Sequence, residues 1–343
     1  MISLSKHLYI VDDLKWSFID AIINKRINES LFWIIEYYKS GYQEETWKLL
    51  WVVYSSFYFT NNTYYSKKMH KMYVKWQKTK KLDIIVGIVY KFYKMSKYDF
   101  EFFNIFRKNC KYTPVEGVVD LNMRNKYRLK KNHLFTKLVL SLQKKQIRNV
   151  WFFIVYNFDL SLQIIKTYFN SVFTFKDTKV HDIKIQLLMN VYKSYMENNE
   201  KKKQFTIRLP KKLKTFIDNI VKDSVNKPRN VLKMKRLYDI PESIGCFNLK
   251  RNKLNIEEIR EKYFYHWEYY ANKSDYWKNI FEHWAIEFDE KEEPIFINDD
   301  IHEKFYEKYN LEPDEQTLET HNKSIKYIEP YDIKVWMKTV NSR

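Results

Sequence analysis

The chain has 343 residues, 45% hydrophobic and 18% aromatic, which is enough apolar surface for a sizeable core and too much for a disordered protein. It carries 61 Lys+Arg against 42 Asp+Glu, a net charge of +19, and its only glycines are Gly41, Gly87, Gly117 and Gly245. These scattered glycines exclude a P-loop and a dinucleotide-binding fingerprint, both of which need glycines within about six residues of each other.

The N-terminus acquires Asp12 and Asp13 too early for a secretory signal, and no run approaches the roughly 20 apolar residues of a membrane span. These features lead us to expect a soluble intracellular protein. Cys110 and Cys246 stand alone, without disulfide-framework or zinc spacing.

Helical periodicity dominates from the start. Helices are expected near 12–25, 29–40 and 44–59. Asn28 is placed to cap the second, Gly41 to stop it in the left-handed conformation, and Glu44 and Glu45 to open the third. Further helices follow near 64–78, 81–95 and 98–108, the last despite the strand-like run FEFFNIF. Pro114 and Gly117 mark a break at 110–124, before the basic run RNKYRLKK at 124–131. Helices resume near 132–144, 147–157, 160–174 and 179–198. The segments 18–35 and 135–154 echo each other, each an apolar helix, a basic turn and an aromatic helix. Duplication and convergent amphipathic patterning both account for the echo.

Residues 199–254 change character, with Pro210, Pro228 and Pro241 and one clear helix at 213–221. From Lys201 to Arg236 there are 13 basic and 2 acidic residues. A strongly aromatic helix is expected over 255–284. An acidic, loosely patterned segment at 287–319 follows, with a short strand at EPIFIND (293–299) and a helix start at Pro313. A last helix is expected around Tyr331–Thr339. The expected fold is all-α: stacked helix hairpins, in a bundle or short solenoid, over 1–198, a basic connector over 199–254, and a smaller helical part over 255–343.

Charge is unevenly spread. Glu282–Arg343 holds 8 basic and 16 acidic residues, or −8, so the other 281 residues hold 53 and 26, or +27. Basic surfaces attract nucleic acid or anionic membranes. Lys, Asn, Ile, Tyr and Phe are all over-used, and AT-rich coding bias also supplies lysine without selection for binding. The candidate phosphate contacts are Arg208, Lys211, Lys212, Lys214, Lys227, Arg229, Lys233, Lys235 and Arg236, joined by Arg124, Lys126 and Arg128 of the second cluster. The alternative for this block is a solvated, lysine-rich linker. Tyr127 could stack on a base, and core packing or plain exposure is its other reading.

No catalytic signature is present. His266 and Glu268 are two apart and face different sides of a helix. Tyr263, Trp267, Tyr270 and Trp277 fall close to one face, as core residues do. Asp299, Asp300 and Glu303 lack the ladder of a calcium loop and read as a solvated face or an intramolecular partner for the basic body. No metal and no cofactor is expected, and no enzyme.

The stretch FIDAIINKRINESLFWIIEYYKSGYQEETWKLLWVVYSS resembles the C-terminal helical domain of clamp-loader-related ATPases of the RarA/MgsA type. There a basic turn leads to a Glu-x-Ala-Leu-x-Trp helix, a Ser-Gly stop and a Trp-x-x-Leu helix. The matching positions are Ala21, Ile22, Arg26, Glu29, Leu31, Trp33, then Glu36, Ser40, Gly41, Trp47 and Leu50. The family's next segment is replaced by YSSFYF and its ATPase module is missing, so the resemblance implies a helical collar-type module without ATPase activity. The same block, with YFYHWEYYANKSDYWKNIFEHW and KFYEKYNLEPDEQ, is similar to a helical protein family of giant (nucleocytoplasmic large) DNA viruses. That resemblance implies a viral context: the host cytoplasm, in a virus factory, or the virion. The leading expectation is a non-enzymatic basic scaffold or adaptor working with nucleic acid or a nucleic-acid machine, partnered by viral or host proteins. A virion structural protein (minor capsid or core) and an RNA- or translation-associated helical-repeat adaptor are the alternatives.

Overall fold

The computed structural model describes residues 2–95, 98–107, 111–119, 134–196, 209–222, 258, 262 and 265–309, together with strand pairs at 237–238 and 327–328. Of these residues 68% are helical and 3% are strand, so the fold is all-α. The chain forms two compact units. Unit 1 takes residues 1–49, 80–94 and 207–343, and unit 2 takes 50–79 and 95–206. These units cut across the linear division expected from composition. The C-terminal segment shares a core with the first 49 residues instead of standing apart.

Unit 1 contains α1 (Val11–Ile23), α2 (Ile27–Lys39) and α5 (Leu82–Lys94), which pack on one another. Leu14, Phe18, Ile22, Leu31, Ile34 and Ile88 are all fully buried there. Asp12 and Asp13 sit in the first turn of α1, where negative charge favours the helix dipole. The expected cap at Asn28 is displaced: α2 begins at Ile27, with Arg26 at the cap position and no capping side chain. Arg26 instead pairs with Asp20 and donates from Nε to Glu29 (2.9 Å), which fixes the helix start two residues earlier. Gly41 ends α2 as expected, at φ +99°. Lys25, at φ 58°, points its ammonium at the last carbonyls of α5, Phe92 and Tyr93, at 3.2 Å each. α11 (Lys211–Lys222) packs on α2 through Ile217. The strand β1 (Leu237–Tyr238) lies beside α1 and pairs in parallel with β4 (Tyr327–Ile328).

The expected single aromatic helix at 255–284 is broken. α12 (Trp267–Ala271) stops, and Ser274 caps α13 (Asp275–His283) by accepting from Trp277 N. Trp267, Trp277, Phe281 and Phe305 form one buried ring cluster, with Trp267 edge-on to Trp277 at 5.2 Å. The indole N–H of Trp277 reaches the carbonyls of Ser5 and Lys6, 3.1 Å each. The supposedly loose acidic segment is built: β2 (Glu287–Phe288) and β3 (Pro294–Ile295) form an antiparallel hairpin, and α14 (Asp299–Tyr309) buries Phe305, Tyr306 and Tyr309. Tyr306 donates to the fully buried Glu268 (2.6 Å).

A polar hub sits in this unit's core. Glu36 accepts from Ser5 Oγ (2.6 Å), His7 N (2.7 Å) and the His7 ring (2.6 Å). Burial pushes the Glu36 pKa up, but the His7 ring and these hydrogen bonds outweigh it, and the net shift is downward.

Unit 2 begins within α3 (Gln43–Val53), between Leu49 and Leu50. Ser55 Oγ bonds back to Trp51 O (2.8 Å), and the helix loosens into a π-helical turn over Tyr54–Tyr58. α4 (Tyr65–Thr79) follows, then α6 (Glu101–Arg107), so FEFFNIF is a helix, with Phe103 stacked on Phe57 at 5.3 Å. α7 (Leu134–Gln143), α8 (Ile147–Tyr156), α9 (Phe158–Phe169) and α10 (Ile183–Tyr195) complete it. Asn170, left-handed at φ 47°, ends α9 five residues before the expected limit of 174. Asp182 caps α10, which starts four residues later than expected. The residues between are a loop.

The internal echo is a backbone match. The α1–α2 turn places Lys25 at φ 58° with Arg26 N bonded to Ala21 O (2.9 Å). The α7–α8 turn places Lys145 at φ 53° with Gln146 N bonded to Ser141 O (2.8 Å). The two turns align without a gap, Ala21 to Arg26 on Ser141 to Gln146. The run RNKYRLKK, Tyr127, the Pro313 helix start and the helix around 331–339 lie outside the described residues, as do both cysteines.

Candidate anion-binding site

α4 is divided cleanly. Tyr65, Met69, Tyr73 and Trp76 are buried, and the opposite face carries Lys67, Lys71, Lys75 and Lys78, all exposed. At about 3.6 residues per turn these four fall within roughly 80° of arc along about 16 Å of helix. None forms an ion pair with another described residue.

The N-terminal half of this row opens onto a cavity of about 290 Å³. Four lysines line it: Lys67 and Lys71 from α4, Lys176 from the loop after α9, and Lys193 from α10. Gln186 fixes that loop in place. Its amide accepts from Lys176 N (3.0 Å) and donates to the carbonyls of Lys176 (2.7 Å) and His181 (3.0 Å). The loop thereby presents Asp177, left-handed at φ 55°, whose carboxylate pairs with the ring of His70. Ser66 also lines the cavity, and its hydroxyl donates to Thr63 O (2.9 Å).

The apolar wall is a ring pair. His181, 5% exposed, lies flat on Trp51, 3% exposed, with centroids 4.1 Å apart and 8° between planes. Burial holds the His181 pKa down to about 3, so its imidazole is neutral across the ordinary pH range. Two nitrogens on this wall, His181 Nε2 and Trp51 Nε1, are buried and make no hydrogen bond to any described residue. Buried polar groups of this kind are nearly always satisfied, by protein, water or ligand.

Of the expected phosphate contacts, Lys211, Lys212 and Lys214 are described, and all three are exposed on α11. They stand on a docked helix, which makes this stretch more than a free linker. Arg124, Lys126, Arg128, Arg208, Lys227, Arg229, Lys233, Lys235 and Arg236 lie outside the described residues. Asp299, Asp300 and Glu303 are exposed on the first turns of α14. Among the described residues no group of three or more His, Cys, Asp or Glu side chains could hold a metal ion. Nor is any described helix long and apolar enough to cross a membrane.

The cavity was not foreseen. Its residues come from four separated stretches, and its key loop was expected to be partly helix. The lysines of α4 stand at a spacing of 4, 4 and 3 in the sequence, where only a helix near 64–78 is expected. No family model matches the chain, and no curated protein or solved structure matches it either.

Proposed function

We propose that this protein is a non-enzymatic, basic helical scaffold that holds nucleic acid, or a machine working on it, in the cytoplasmic factory of a DNA virus. The observation that carries the reading is the lysine row of α4, four exposed ammonium groups on one helical face with no acidic partner among the described residues. Such a row suits a phosphate backbone, which supplies affinity without sequence information. The exposed Lys211, Lys212 and Lys214 of α11 and the +27 charge of the chain before Glu282 support it.

The test is fluorescence anisotropy of labelled single- and double-stranded oligonucleotides at several salt concentrations. Wild type is compared with Lys75→Gln/Lys78→Gln and with Lys211→Gln/Lys212→Gln/Lys214→Gln. Weaker binding and a shallower salt dependence in the variants are expected. Equal affinity and equal slope in all three proteins would reject the reading.

A further inference from the structure

We infer that the unit 2 cavity is a binding site for a phosphate monoester, with the phosphate among its lysines and the organic group against the Trp51–His181 ring pair. Three independent observations converge on it.

The first is charge. Four lysines line the cavity, and its one carboxylate, Asp177, is already engaged by His70. The positive excess suits a dianion, and a phosphate monoester presents three strong acceptor oxygens. The second is the ring pair: His181 lies flat on Trp51, with centroids 4.1 Å apart, and the stacked rings give the cavity an uncharged wall beside its lysines. The third is size. At about 290 Å³ the cavity falls just below the usual range for small-molecule sites, roughly 300–1,000 Å³. That admits a phosphate with one flat or apolar group and no large cofactor. Phe59 and Met189 extend the apolar wall for that group.

A free mononucleotide and the 5′-phosphorylated end of a nucleic acid present the same chemistry. The inference is separate from the scaffold reading, since Lys75 and Lys78 belong only to the α4 row, and Lys176, Lys193 and His181 belong only to the cavity.

The experiment is isothermal titration of the full chain with adenosine monophosphate, uridine monophosphate, inorganic phosphate, and a short oligonucleotide with and without a 5′-phosphate. Saturable binding of the monophosphates or of the 5′-phosphorylated oligonucleotide is expected, tighter than that of inorganic phosphate or the 5′-hydroxyl oligonucleotide. Lys176→Gln/Lys193→Gln should weaken it at least roughly tenfold, since each hydrogen bond to a charged group is typically worth that factor or more. His181→Ala removes half of the ring wall and should narrow the preference for the monophosphates over inorganic phosphate, with the circular dichroism spectrum unchanged. Lys75→Gln/Lys78→Gln should leave it unchanged. Binding to the 5′-phosphorylated oligonucleotide alone would identify a nucleic-acid end as the source, and binding to the free monophosphates alone a metabolite. No saturable binding, or equal weakening by the cavity pair and the Lys75/Lys78 pair, would overturn the inference. A protein that binds oligonucleotides with a steep salt slope but no monophosphate loses the cavity site and keeps the scaffold reading.

Discussion

A methyl group placed on Gly41 would lie 2.5 Å from Cβ of Asp275, 234 residues further along the chain. At this point the end of α2 meets the start of α13, where Tyr276 N also approaches Ser40 O at 3.4 Å. Glycine is therefore required twice at position 41, for its φ of +99° and for the space it leaves.

The first prediction follows from that pair. Gly41→Ala should destabilise the protein by about 3 kcal/mol, combining a left-handed backbone cost with overpacking. Adding Asp275→Gly should restore the overpacking part and leave the backbone part. Urea denaturation of the single and double variants measures both.

A second prediction concerns Lys25. Its ammonium, half-buried and lowered to a pKa of about 8 by burial, serves the carbonyls at the C-terminus of α5. Lys25→Met should cost about 1–2 kcal/mol through the lost charged bonds and the uncompensated helix dipole. Hydrogen exchange should quicken in the last turn of α5 and stay unchanged in α9.

The third prediction is pH dependence. His181 titrates near 3 when folded, against an ordinary value of 6.5. Between those values the unfolded chain binds a proton there and the native protein does not, so stability falls as pH drops, by about 1.4 kcal/mol per pH unit. From pH 6.5 to pH 5 the wild type should lose about 2 kcal/mol more than His181→Phe. Glu36 has the opposite chemistry and the same direction. Its lowered pKa gives stability that is present above its ordinary 4.5 and lost as pH falls through the folded value. Glu36→Gln should flatten the acid limb below about pH 4.5 after an initial loss of roughly 3 kcal/mol from breaking a buried pair. Urea midpoints at half-unit pH intervals separate the two windows.

The fourth prediction quantifies the lysine row. Removing Lys75 and Lys78 should lower the slope of log affinity against log salt by about 1.4–1.8, at roughly 0.7–0.9 per lost phosphate contact. The acidic cluster, expected as a solvated face or an intramolecular partner of the basic body, is tested by charge. Asp299→Asn/Asp300→Asn/Glu303→Gln alters only exposed groups, whereas removing 287–319 would take Phe305 and Tyr309 out of the core. The neutralised variant should bind oligonucleotides more tightly at low salt, and the gain should vanish above about 0.5 M as screening lengths shrink.

Local features of this fold were legible because they are written locally. The apolar spacing of α1 and α2, the stop at Gly41 and the acidic opening of α3 all lie within a few residues of their effect. The helical state of Phe102, Phe103 and Ile105 was readable in the same way. What escaped depends on distant partners. Arg26 starts α2 because Asp20 and Glu29 hold it, which overrides the cap residue two positions on. The candidate site escaped because Trp51, His70, Asp177 and His181 have no common sequence neighbourhood. The one local clue was the pair of loop boundaries, Asn170 as a left-handed stop and Asp182 as a cap. The division into units was hidden because no glycine- or proline-rich stretch marks Leu49–Leu50, where one helix serves both sides.

The bond from the Trp277 indole to Ser5 O spans 272 residues, and this separation sets an order of events on the ribosome. At about 5–20 residues per second, the N-terminal partner waits roughly 14 to 54 s for the tryptophan to be synthesised. During that interval the carbonyls of Ser5 and Lys6 lack the indole donor that they share in the folded unit. The inserted residues 50–79 and 95–206 are finished first. The N-terminal segment therefore completes its hydrogen bonds only when most of the chain has been made, and unit 1 closes after every residue of unit 2 has been synthesised.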